Sequence, residues 1–158
     1  MHDIGKVGIP DTILLKPGRL TPEEFTVMKG HPALGFEAIR QAERLLGLEL
    51  DFLRIAKEIA YSHHEKWDGS GYPQGLSGEA IPLSARLMAL ADVYDALISR
   101  RCYKRGFTHV QAMDLIREGR GQHFDPMVVD AFLEIHEDFE RIALQFADAQ
   151  ADAPAEEG

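Results

Sequence analysis

A helical stripe that runs straight into two histidines constrains this chain more than any other feature. From Asp51, apolar residues fall at Phe52, Ile55, Ala56, Ile59 and Ala60, the spacing of one helix face, which continues onto His63. His63 therefore points to the core side, and His64 lies about 100° further round. The segment Glu65-Lys66-Trp67-Asp68-Gly69-Ser70-Gly71-Tyr72-Pro73 follows at once. Its glycines permit turns that a side chain would hinder. The stretch can set metal ligands at a helix end with a binding loop beside them.

The other periodic segments are helical as well. Thr21-Pro22-Glu23-Glu24 carries a cap, a proline suited to the first turn and a capping-box glutamate, and predicts a helix to about Lys29. His31-Pro32 interrupts it, and a second helix is expected from Ala33 to Leu46, stopped by Gly47. Pro82 starts another, running to about Ser99 with Leu83, Leu87, Leu90, Tyr94 and Leu97 as its apolar stripe. Asp92 shares a neighbouring strip with Ala85, Met88, Ala89 and Ala96, where small side chains let another element approach. Thr108 and Gln111 cap a helix to about Arg117, and Asp125-Pro126 opens one long amphipathic helix through Phe146. No strand-like alternation is long enough to count, so the fold class is all-α. One domain over residues 1–147 is expected, with residues 148–158 as a disordered acidic tail.

The net charge of −9 excludes nonspecific binding to DNA or RNA, which needs a basic surface, but a local basic cluster can still hold a small anion. With Cys102 as the only cysteine, neither an internal disulfide nor a CxxC zinc site is available. No apolar run approaches the ~18 residues of a membrane span. The expectation is a cytoplasmic protein with no membrane partner.

The potential ligands are His2, Asp3, His31, His63, His64 and Asp92. Imidazole and carboxylate without thiolate suit iron, manganese or zinc. A carboxylate can bridge two ions in sites built for displacement at phosphorus. Taken singly, an Asp or His on a helix is more often a cap, an ion-pair partner or a satisfied core group. The doublets His63-His64 and His2-Asp3 carry the metal reading.

The ordered segments His2-Asp3-Ile4-Gly5-Lys6, Leu20 to Phe25, Lys29 to Pro32, His63 to Pro73, Ile81 to Arg86, Ala91 to Leu97, and His123 to Pro126 resemble the HD-GYP branch of the HD metal-dependent phosphohydrolases. The resemblance runs in register from residue 1 to about 135. It implies an HD-domain-like helical bundle that opens cyclic di-GMP, a bacterial second messenger, to linear dinucleotide or GMP. It also implies two or three divalent ions, often iron, on His2, Asp3, His31, His63, His64 and Asp92, with Asp3 bridging. Lys6 and Asp3 become the catalytic pair, Lys6 reaching the scissile phosphate. Tyr72 and Pro73 would lie in the substrate loop, and Arg101 and Lys104 would grip phosphate or guanine. Glu65, Asp68, Arg86 and Asp95 read as supporting residues, and His109, His123 and His136 as ordinary ones. Family members carry further helices and another histidine ligand before the His-Asp pair, so the chain is expected to be truncated there. Exposed apolar surface and self-association would follow. The alternative function is a non-catalytic module that binds the dinucleotide or a GGDEF-type partner.

Overall fold

The computed structural model describes residues 1–47, 50–99 and 106–151. The helices are α1 (Asp11–Leu14), α2 (Pro22–Met28), α3 (His31–Leu46), α4 (Asp51–Ser62), α5 (Leu83–Ile98), α6 (His109–Glu118), α7 (Pro126–Glu134) and α8 (His136–Ala151), with 3-10 turns at Ile4–Gly8 and Gly78–Ala80. An isolated bridge between Arg120 and Phe124 is the one β contact among the described residues, so the fold is all-α as expected. Among them, no helix is long and apolar enough to cross a membrane.

The local signals act as predicted. Thr21 Oγ1 accepts from Glu24 N at 3.2 Å while the Glu24 carboxylate accepts from Thr21 N at 2.7 Å. Thr108 and Gln111 repeat the arrangement on α6. Gly47 ends α3 with a left-handed φ of 61°.

Three expectations are corrected. First, α3 begins at His31 rather than Ala33, because Pro32 sits in the first turn, where its missing N–H breaks no hydrogen bond. Second, the C-terminal helix divides at Ile135 into α7 and α8. Residues seven apart on a straight helix lie about 10 Å apart along its axis, yet the rings of Phe132 and Phe139 meet edge to face at 4.9 Å. The bend lets both pack around Tyr94. Helix α8 then continues to Ala151, past the expected start of the tail. Third, the predicted stripe of α5 is buried only in its second half: Leu90 and Tyr94 are in the core, whereas Leu83 and Leu87 are more than half exposed and Ala85 and Ala89 are buried at that end. In the first half of α5, close helix approach selects the alanine face over Leu83 and Leu87.

Two apolar clusters result. Ile39, Ala56 and Ala60 join α3 to α4, with Leu53 against them. Leu90, Tyr94, Ala112, Ile116, Phe124, Val128, Val129 and Phe132 join α5, α6 and α7. A buried ion pair between Arg86 on α5 and Asp125 at the start of α7 closes this second cluster. The histidine-bearing ends of α3 and α4 lie together at the first cluster, beside the N-terminal turn.

Candidate metal centre

The N-terminal turn is docked on α3. Gly5 is buried, and a Cβ there would collide with the carbonyl of His31 and the amide of Gly35. Lys6 N donates to Asp3 O at 2.9 Å, and Ile9 is buried behind the turn. This places Asp3 before the first residue of α3 and the last turn of α4. Its Oδ1 lies 3.4 Å from His31 Nε2 and 3.8 Å from His63 Nε2. Ligand atoms of Asp3, His31, His63 and His64 all lie within 4.8 Å of one another. His2 Nε2 stands 3.4 Å from Asp3 Oδ2 and 3.5 Å from Asp92 Oδ1, which brings α5 to the same centre.

Backbone carbonyls orient the two buried rings. His31 Nδ1 donates to Met28 O at 2.8 Å, and His63 Nδ1 donates to Ile59 O at 2.9 Å. A carbonyl can only accept, so each Nδ1 holds the proton and each Nε2 presents a lone pair. Both Nε2 atoms are buried without a hydrogen-bond partner. Burial lowers the pKa of His31 and His63, and it holds His64 down at about 3 with help from neighbouring His63. At Asp3 burial alone would raise the pKa, but hydrogen bonding and charge from Lys6, then His2 and His31, lower it overall. Neutral imidazoles therefore turn lone pairs toward an ionised carboxylate. That arrangement is repulsive until a cation stands among the donors. The set fits a divalent metal ion, each ring held by the carbonyl contact that metal-bound histidines usually make. Lys6 Nζ closes one side at 2.6 Å from Asp3 Oδ2.

The loop after α4 covers another side. The Tyr72 ring stacks on His64 with centroids 4.8 Å apart and an angle of 24°, and Phe25 of α2 meets its other neighbourhood edge-on at 6.3 Å. Burial, followed by the Asp3 and Asp92 carboxylates, pushes the Tyr72 hydroxyl up to about 12, so it keeps its proton. Tyr72 N donates to His64 O at 3.2 Å. Gly71 has no room for a Cβ against Glu65, Lys66 and His64.

A family model described as HD domain matches residues 1–128. The chain belongs to the HD domain family. A cyclic di-GMP phosphodiesterase of Vibrio cholerae is 66% identical over 94% of this chain and 30% of its own length. A probable cyclic di-GMP phosphodiesterase of the same organism is 62% identical, over 96% of the chain and 34% of its length. A cyclic di-GMP phosphodiesterase response regulator of Xanthomonas campestris is 49% identical, over 96% and 38%. The chain thus spans about a third of the length of these curated relatives. Their names agree with the resemblance to the HD-GYP branch.

Within this HD domain, His2, Asp3, Lys6, His31, His63, His64, Tyr72 and Asp92 form one neighbourhood. Pro73 lies in the same loop. Arg101 and Lys104, expected to grip the substrate, lie outside the described residues. Phe25 joins the site although the sequence offered only an apolar residue on a short helix. His109 and His136 do have partners. Tyr94 Oη and His109 Nδ1 are 2.9 Å apart, and His109 Nε2 and His136 Nδ1 are 3.1 Å apart, linking α5, α6 and α8 away from the metal centre. Nothing in the spacing of these residues signals that link.

Proposed function

We propose that this HD domain is a metal-dependent phosphodiesterase that opens cyclic di-GMP to the linear dinucleotide or to GMP. The carrying observation is the pair of buried, unpartnered Nε2 atoms on His31 and His63, aimed at Asp3. The printed names of the relatives supply the substrate. His2, Asp3, His31, His63, His64 and Asp92 would hold two or three divalent ions, iron first, with manganese or zinc as the other candidates.

When bound, such ions supply a Lewis acid that polarises a phosphoryl oxygen. The chain's own residues do the rest. Lys6 Nζ donates to a non-bridging phosphate oxygen and offsets charge that develops there. Asp3 stays ionised beside it, and the neutral histidines keep their lone pairs directed inward. Tyr72 retains its phenolic proton as a donor and offers its ring edge to a base. Arg101 and Lys104 grip phosphate or guanine, arginine by its two-pronged contact. The proposal includes self-association through exposed apolar side chains such as Phe52, Leu83 and Leu87.

Metal-loaded protein is incubated with cyclic di-GMP and the products are separated by ion-exchange chromatography. Linear dinucleotide or GMP from the parent, and none from His63→Ala, is the expected result. An intact substrate with both proteins would overturn the reading. Calorimetric binding without turnover would point instead to a non-catalytic dinucleotide or GGDEF-partner module, and turnover of another nucleotide alone would change the substrate.

A further inference from the structure

Glu65 directly follows the histidine pair and is 2% exposed. A carboxylate so deeply buried needs compensating donors. Its two oxygens divide between two backbone amides of the next loop, Gln74 N at 2.7 Å and Leu76 N at 3.0 Å. These amides flank Gly75, whose φ of 69° turns the chain back. A third bond, Tyr72 N to His64 O, ties the loop to the same dipeptide, and Gly71 packs against Glu65, Lys66 and His64. The segment after α4 that carries His64 and the loop that carries Tyr72 are therefore one body, joined by one backbone bond, close packing at Gly71 and the Glu65 carboxylate, the one side chain that bonds the loop's far half.

We infer that Glu65 is a positioning residue that sets Tyr72 against the metal centre and thereby governs affinity for the dinucleotide. The inference rests on the phosphodiesterase reading above. Both Glu65 oxygens are taken up by loop amides, and Glu65 is not among the clustered donors Asp3, His31, His63 and His64. It acts by fixing Gln74 N–H and Leu76 N–H, so that Tyr72 keeps its stacked place on His64 rather than swinging out.

Glu65→Gln is a narrow lesion, because the volume is kept. One oxygen still accepts, but the new NH2 faces an N–H donor in a buried place. The experiment compares the parent, Glu65→Gln, Tyr72→Ala and the double variant on cyclic di-GMP and on bis(p-nitrophenyl) phosphate, a diester without a purine. Glu65→Gln is expected to raise KM for cyclic di-GMP about tenfold, the loss of one hydrogen bond to a charged group. Turnover of the purine-free diester stays within about twofold of the parent, as for a lost binding interaction, and metal content is unchanged. On the Tyr72→Ala background, Glu65→Gln adds less than about twofold, because the two act through one element.

Independent effects that multiply in the double variant would overturn the inference. So would a parallel fall on both substrates with loss of metal, which marks a purely structural role. A parent that cleaves neither diester would instead defeat the phosphodiesterase reading. In that case the same tenfold change is read as Kd by calorimetry, and equal affinity for parent and Glu65→Gln overturns the positioning role.

Discussion

Gly5 lies against the main-chain carbonyl of His31, and the gap between them is too small for a Cβ. This contact seats the turn bearing His2 and Asp3 on the first residue of α3. Gly5→Ala is expected to push the turn away, costing about 1–3 kcal/mol as overpacking does. The obstacle is backbone, which cannot rotate aside. Urea unfolding and metal analysis should both register the change. Unaltered stability with full metal content would mean that the turn is held elsewhere.

Metal removal should destabilise the protein. Without a cation, the Nε2 lone pairs of His31 and His63 stay buried and unpartnered opposite Asp3. At free metal a thousandfold above Kd, binding to the folded state alone stabilises by about 4 kcal/mol. Thermal unfolding with chelator and after adding metal back is the check, with His63→Ala insensitive to both.

Acid should weaken the metal-free fold in a defined window. His64 has a folded pKa of about 3 against 6.5 in the open chain. Between those values the unfolded state binds a proton that the folded state refuses, so stability falls as pH drops below 6.5. His64 alone contributes a loss of about 2 kcal/mol by pH 5. His31 and His63, also lowered by burial, act in the same direction. Asp3 is lowered from 3.8, so its stabilising share persists above that value and is lost only in stronger acid. Urea titrations of metal-free protein at pH 7.5, 6 and 5 should show the decline, and a flat profile would contradict it.

Lys6→Met separates charge stabilisation from metal binding. Lys6 Nζ is 2.6 Å from Asp3 Oδ2, so its removal leaves the carboxylate more available to a cation. Metal content is expected to hold or rise, while kcat falls about a hundredfold, as when one preorganised donor is lost. Loss of metal in the variant would assign Lys6 to building the site.

Asp125→Ala tests the pair that closes the second core cluster. Asp125 is 3% exposed, pairs with Arg86, and accepts from Met127 N at the start of α7. Removing it strands the Arg86 charge and uncaps the helix, a loss of about 3–5 kcal/mol for a broken buried pair. Arg86 also contacts Ile81 O and lies over Trp67, so chemical unfolding should show a large shift with little change in metal content.

Sequence by itself determined the helices and the inventory of donors. Thr21, Thr108, Gly47 and Asp125 act on neighbours within one turn, so their signals are written in adjacent residues. His63 faces inward for the same reason, as the end of a stripe that the α4 periodicity carries. Only the tertiary structure decided the start of α3 at His31, the bend at Ile135, the exposure of Leu83 and Leu87, and the burial of Glu65 beneath its loop. The start of α3 turns on Pro32 fitting the first helical turn, and the others depend on contacts between distant parts of the chain: rings folding around Tyr94, alanines admitting a neighbouring helix, loop amides closing over a carboxylate. The helix that ends in two histidines was legible from its spacing. That the His63 lone pair turns toward Asp3, far earlier in the chain, was settled by packing.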